Sequence, residues 1–343
     1  MPSAYRTWRE GLEREAALPA QAGLVFDTLY LGGGTPSLLD AGDVAWLLDL
    51  VRSNFRQEIG EFTLEANPGG GADRLSGWRK TGVSRLSVGV QSFDGALLET
   101  LGRPYSVEEA RAFCRAGRET GFDTFAIDLM TGVPGESPGS IERTLEETLR
   151  LEPDHVSLYL LENVGGLPFE EVLGRHPVDE DAAAESFRQI RDALETAGLR
   201  QYEISNFARL GKECRHNLKY WRYQPFLGLG PSAGSHVDGR RWSNSASLEV
   251  WASSLRRGEQ AREDVVELAA AASAREALIF GLRLVEGVDL DDLSERFRVD
   301  TRSLFGREIG ELVDEGLLVR EAARIRIPRD GFLTSNSVLS RLV

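Results

Sequence analysis

Polar side chains able to bind a ligand stand at the ends of short apolar runs along this chain. The run 26–31 is followed by Gly32, Gly33, Gly34, Thr35, Pro36 and Ser37. Glycines in series bring main-chain N–H groups close to a ligand and reach positive φ, which suits capture of an amino-acid-like head group. The same triplet serves equally as a tight turn into a helix capped by Ser37. The run 61–66 carries Glu65 near its end, before Asn67-Pro68-Gly69; 85–90 leads into Gln91, with Arg103 further on; and 124–129 carries Asp128 ahead of Thr131-Gly132-Val133-Pro134. A single carboxylate in such a place is as readily a salt-bridge partner. The recurrence of Glu65, Gln91, Arg103 and Asp128 at or just beyond successive run ends is not expected of structure alone, and these groups can converge over one mouth.

The elements that must position these residues follow from periodicity. The runs 26–31, 61–66, 85–90, 124–129 and 156–161 have strand length and β-branched character. Between them, 41–55, 72–81, 94–101, 107–120 and 140–151 show helical apolar spacing, and Ser106 with Glu109 forms a capping-box signature. This alternation predicts an α/β fold with a parallel sheet, whose ligand sites gather at the C-terminal ends of the strands. A helix over 179–197 leads through Gly198 to 201–204, and a loop-rich, aromatic stretch covers 206–244. From about residue 263, helices at 269–284, 290–297 and 301–315 precede short runs at 317–320 and 325–327, a small winged-helix-like module.

Composition narrows the function classes. With 343 residues the chain can form one large domain and a smaller one. Forty Lys+Arg against 54 Asp+Glu give a formal charge of −14. That balance repels nucleic acid phosphates and anionic membranes on average, so no nucleic acid partner is expected and peripheral membrane contact is not indicated. No apolar run approaches the roughly 20 residues that span a bilayer, and residues 1–20 lack a signal-like apolar core, so a cytoplasmic location is expected. The only cysteines, Cys114 and Cys214, supply neither a disulfide framework nor a cysteine-only metal site.

The motifs GGGTPS, EANPG, GVQSF, LGR, DLMTGVPGES, QYEISNFAR and HNLKYW, in this order and spacing, resemble the HemW heme-chaperone branch of the radical S-adenosylmethionine (radical SAM) proteins. The likeness runs from about residue 26 to the C-terminus. It implies a partial (βα)6 barrel whose loops bind S-adenosylmethionine, with Gly33, Gly34 and Thr35 at the methionine moiety and Glu65, Gln91, Arg103 and Asp128 on the rest. These chemistries suit the roles: carboxylates accept from ammonium or ribose hydroxyl groups, and guanidinium pairs with carboxylate.

The resemblance also implies heme binding by the segment holding His216, Asn217, Tyr220 and Trp221, with His216 as candidate iron ligand. Imidazole ligates heme iron and aromatic rings lie against a porphyrin face, whereas the bland reading is a histidine hydrogen-bonded within a loop. The loop Gly228 to His236 matches a family loop that often has histidine where this chain has Gly234; His236 is a possible substitute.

The family's [4Fe–4S] cluster sits on Cys-x3-Cys-x2-Cys directly after its first strand. Residues 1–23 align by position with the helix that follows, so the first strand and that loop are expected to lie upstream of this chain, through a shortened start rather than a cluster-free paralogue. As written, the chain is expected to hold no such cluster and form no deoxyadenosyl radical. Loss of the strand would leave an edge on 26–31, an aggregation liability unless residues 1–23 cover it. The implied function is a chaperone that binds heme and passes it to acceptor proteins. The alternatives are an oxygen-independent coproporphyrinogen III oxidase and a cluster-free S-adenosylmethionine-binding paralogue without catalysis. The expected division is 1–205 for the barrel, 206–262 for the loop-rich segment and 263–343 for the winged-helix-like module.

Overall fold

The computed structural model of the chain describes residues 3–18, 24–69, 72–161 and 179–343. The expected cover of the sheet edge by residues 1–23 lies partly outside the described residues. Two compact units emerge, one from residues 28–45 and 59–214, the other from 1–27, 46–58 and 215–343.

The first unit is built on strands β1 (Val25–Leu31), β2 (Arg56–Ala66), β3 (Arg85–Gln91), β4 (Thr124–Thr131) and β5 (His155–Leu160), joined by helices. With β6 (Arg200–Gln201) and β7 (Asn206–Ala208) they form one sheet in the order β1-β2-β3-β4-β5-β7-β6. Pairing is parallel from β2 through β5, as the alternation predicts. Beyond β5 the sheet differs from a purely parallel one, because β7 pairs antiparallel with both β5 and β6. The turn at 202–205 is too short to carry a crossover, so the chain can only fold straight back.

Every residue of β3 is buried, as expected of a strand covered on both faces. Helix α5 (Val107–Thr120) begins at the capping box of Ser106 and Glu109, buries Ala110, Phe113, Cys114 and Gly117 at helical spacing, and stops at Gly121 in the left-handed region. Gly117 is needed for contact: a Cβ there would stand 3.0 Å from Leu86 Cδ2 and 3.2 Å from Phe125 Cε2. Helices α2 (Ala41–Asn54), α3 (Asp73–Lys80), α4 (Gly95–Thr100), α6 (Pro138–Arg150) and α7 (Glu180–Thr196) join these strands in turn. Leu86, Val88, Phe125, Ile127, Val156 and Leu158 fill its core at no more than 1% exposure. Each such side chain contributes about 1.5–3 kcal/mol by burial.

In the second unit, α1 (Ser3–Ala16) packs on α9 (Leu248–Arg256). Gly11 permits the approach, since a Cβ there would fall 2.1 Å from Trp251 Cζ3. The stretch expected to be loop-rich contains α8 (Arg215–Trp221) and the strands β8 (Gly234–Val237) and β9 (Arg240–Asn244), with β10 (Arg262–Glu267) following in one antiparallel sheet. The winged-helix-like module is α10 (Ala270–Gly281), β11 (Val288–Asp289), α11 (Leu290–Phe297), α12 (Thr301–Asp314), β12 (Val319–Glu321) and β13 (Arg324–Arg326), with strand order β11-β13-β12. Asp289 and Asp300 cap α11 and α12 through side-chain oxygens. Beyond these elements, α13 (Ser335–Ser340) packs as a last short helix.

Candidate functional site

At the end of β1, Gly32 to Thr35 are exposed, and Gly33 adopts φ +75°. A Cβ on Gly32 would lie 2.6 Å from Tyr30 Cε1 and 2.9 Å from Glu65 Oε2, so glycine is required there by close approach. Around Gly33 and Gly34 the corresponding space is open. The loop is pinned from outside: Arg74 donates to the Ser37 carbonyl at 2.8 Å and Trp78 Nε1 to the Leu39 carbonyl at 3.0 Å.

Glu65 faces this loop. Its carboxylate accepts from the Tyr30 hydroxyl at 2.6 Å and from the Gly33 amide. Burial raises its pKa, the charge of Asp128 adds to the rise, and those two hydrogen bonds oppose it. Asp128 lies on β4 in the barrel interior, where both oxygens are within reach of Ser87 Oγ at 3.1 and 3.2 Å. Burial pushes its pKa up as well, opposed by hydrogen bonds from Ser157 and Ser87 and by the Arg85 charge.

Gln91 sits where the β3–β4 register shifts and has φ +67°, a costly backbone for a residue other than glycine. Its side chain lies over Gly89, where a Cβ would stand 3.0 Å from Gln91 Nε2 and 3.1 Å from Asn67 Oδ1. The structure thus draws Gly33, Glu65 and Asp128 into one electrostatic neighbourhood and sets Gln91 beside Asn67. Arg103 stands apart in its contacts. It lines a recess of about 630 Å³ with Phe93, Tyr105, Arg111 and Arg143, and its buried Nε has no hydrogen-bond partner.

The partners Tyr30, Ser87, Ser157 and Asn67 were missed by sequence reasoning. Tyr30 precedes Gly32 by two residues and Ser87 precedes Gly89 by two, so strand alternation places them on the ligand-bearing faces, a signal that was available.

The aromatic segment is helical. On α8, His216 Nε2 and the Tyr220 hydroxyl are 2.8 Å apart, and Tyr220 meets Phe226 edge-on at 4.6 Å. Burial brings the His216 pKa down to about 4, with the Lys219 charge adding to the fall, so its imidazole is neutral at ordinary pH. Trp221, about 100° round the helix from Tyr220, turns to α10: it stacks on Phe280 at 6.3 Å, lies under the Arg283 guanidinium at 5.2 Å, and leaves its buried Nε1 without a partner. Asn217 is half-buried on the same helix.

These residues fit the groups that the fold suggests unequally. The open glycine loop and the Glu65 carboxylate suit an ammonium-bearing ligand. Among the described residues no three His, Cys, Asp or Glu side chains gather where a metal ion could sit. Cys114 is buried on α5 with its thiol pushed up to about 12, chiefly by burial, and Cys214 is buried with its Sγ 3.6 Å from Glu61 Oε1. A neutral imidazole is the form that ligates heme iron. No described helix is long and apolar enough to cross a membrane.

Residues 4–148 match the sequence profile of the Radical SAM superfamily, and residues 268–334 that of the HemN C-terminal domain. The chain is 30% identical to the heme chaperone HemW of Bacillus subtilis, over 91% of this chain and 84% of that one. It is 31% identical to the heme chaperone HemW of Lactococcus lactis, over 92% and 84%. In fold it is similar to the coproporphyrinogen III oxidase HemN of Escherichia coli, with a TM-score of 0.85 and 22% identity over 100% of this chain and 84% of the other. By sequence over nearly its whole length, and by the barrel and C-terminal module just described, the chain belongs to the HemW heme-chaperone family of the radical SAM superfamily.

Proposed function

We propose that this protein binds heme and passes it to acceptor proteins, while its barrel binds S-adenosylmethionine. Supporting the second part is a single arrangement: Glu65, held by Tyr30 and the Gly33 amide beside an open glycine loop. In this reading Gly33, Gly34 and Thr35 receive the methionine end through main-chain groups. Glu65 and Asp128 accept from its ammonium or hydroxyl groups, Gln91 supplies an amide, and Arg103 brings a guanidinium for the carboxylate. When present, a [4Fe–4S] cluster would supply the electron for cleaving the sulfonium; the described residues provide no seat for it. The functional division is 1–205 for the barrel, 206–262 for the heme-facing segment and 263–343 for the C-terminal module.

The heme reading rests on family membership and on α8, whose half-buried residues His216, Asn217, Tyr220 and Trp221 offer polar and aromatic surface to a porphyrin. Two titrations of the full chain test the proposal. Hemin should bind saturably and follow one-site behaviour; a purely linear, unsaturable absorbance change would refute the heme reading. Calorimetry with S-adenosylmethionine should give a saturable isotherm that shifts to weaker affinity in Glu65→Gln; no heat from the unaltered chain would refute the barrel assignment.

A further inference from the structure

Helix α10 turns two adjoining ridges toward one recess: Ala271, Arg275 and Ile279 on the first, Ala272, Glu276 and Phe280 on the second, each at i, i+4 spacing. With Leu304 and Phe305 of α12 they wall a space of about 520 Å³. Ile279, Phe280 and Leu304 stay half-buried there, while Phe305 forms the floor at 1% exposure. Such a volume and such apolar walls are those of a small-molecule site, in which a few fixed polar groups set orientation. The lining holds no histidine, cysteine, methionine or tyrosine, so it offers iron no ligand.

The charges around it do not balance. Arg241 is spent on Glu276, paired at 2.7 Å, and Glu276 also accepts from the Tyr223 hydroxyl at 2.9 Å. Arg275 is held in place but not neutralised. Its guanidinium lies 5.0 Å from the centre of the Phe305 ring, and its Nη1 donates to the Leu342 carbonyl at 2.7 Å. No ion pair reaches it from any described residue, Val343 at the rim included. Glu308, an acid that feels its charge, is paired with Arg307 at 3.3 Å. The edge left over, Nε and Nη2, is the fork that takes a carboxylate by two parallel hydrogen bonds. One fixed, unspent guanidinium beside apolar walls calls for a ligand with one negative charge and an apolar body.

We propose that this recess binds a medium-chain aliphatic carboxylate, with its head group on the Nε–Nη2 edge of Arg275 and its chain along Ile279, Phe280 and Leu304. The inference is independent of the heme and S-adenosylmethionine readings. Binding leaves the Arg241–Glu276 pair and the Nη1 bond to Leu342 intact, so the site needs no rearrangement of its charges.

The full chain is titrated by calorimetry with decanoate and with decanol, each below the concentration at which it self-associates. Decanoate should bind saturably at one site and at least about tenfold more tightly than decanol, the lower end of what a hydrogen bond to a charged group contributes. Arg275→Gln should bring decanoate down to the affinity of decanol, and Arg275→Lys, which keeps the charge but loses the fork, should fall between the two. Ala272→Trp, at a half-exposed position on α10, should fill the recess and weaken both probes; it tests the site even if the Arg275 variants do not fold. Equal affinity for the two probes, or unchanged decanoate binding in a folded Arg275→Gln variant, overturns the carboxylate assignment. No saturable heat from decanoate, or an unchanged isotherm in Ala272→Trp, overturns the recess as the site. An acidic amphipathic peptide that binds there where decanoate does not would make the occupant a protein segment and overturn the proposal equally.

Discussion

The barrel interior and the aromatic segment use the same physical cause to opposite electrical ends. In the barrel, burial raises the pKa of Glu65 and Asp128 and favours protonated carboxyl groups. In the segment that begins at α8, burial lowers the pKa of His216 and His236 and favours neutral imidazole. Desolvation penalises whichever form is charged, so acids and bases are driven toward neutrality from opposite sides. The lesson concerns readiness. A carboxyl group with a raised pKa regains its charge when a cationic ligand arrives, whereas a neutral imidazole is already in its ligating form.

The contrast is open to attack, first through pH. The unfolded chain protonates His216 near pH 6.5, and the folded one resists until about 4, so its contribution is whole above 6.5 and falls as pH drops toward 4. That loss is at most about 3 kcal/mol. Denaturant titrations across this range should show it, and His216→Gln should flatten the slope; an unchanged slope would mean that the imidazole is not buried in solution. Glu65 and Asp128 carry the opposite sign. Their contribution is present below their unfolded pKa values and is lost as pH rises through the raised folded ones, so Asp128→Asn should gain relative stability with increasing pH.

Next in size is the ligand effect. Glu65→Gln should weaken S-adenosylmethionine binding by about 1.5–3 kcal/mol, the worth of a hydrogen bond to a charged group. Calorimetry reads this directly, and an effect below twofold would remove Glu65 from the site. Tyr30→Phe deletes only the 2.6 Å hydroxyl contact to that carboxylate. It should cost about 1 kcal/mol in binding or stability and raise the Glu65 pKa further. The smallest change is expected of Tyr220→Phe, which releases His216 Nε2 at a cost of about 0.5–1 kcal/mol. Its imidazole carbon shifts in NMR should move with the lost partner; unchanged shifts would mean that the pair does not form.

Much of the barrel was legible because its signals are local. Helix α5 was expected over 107–120 and occupies those residues, since capping box, apolar spacing and left-handed Gly121 all act within a few residues of one another. Strands β1 to β5 were found to within a residue or two at most ends, with β2 starting five residues early in a stretch of alternating exposure that lacks a continuous apolar run. Helix α8 was hidden for a physical reason. It has seven residues, none of them buried, and therefore no apolar stripe to announce its period. The strands β8 to β10 are short and polar, and their pairing depends on partners far along the chain. In the site, Glu65 and Asp128 were visible as carboxylates near strand ends, while the split between Arg103 and its expected neighbours depends on how α4 and α5 pack.

Glu15, near the end of α1, accepts from the Gly230 amide at 2.7 Å and from Asn244 Nδ2 at 2.6 Å. Gly230 holds φ +100° in the turn that leads into β8, the strand of His236. One carboxylate from the start of the chain therefore clasps a turn more than two hundred positions later. In kinetic language, the Gly230 amide can exchange its hydrogen with solvent only when the Glu15 carboxylate lets go, so exchange at this turn reads out how firmly the end of α1 is held.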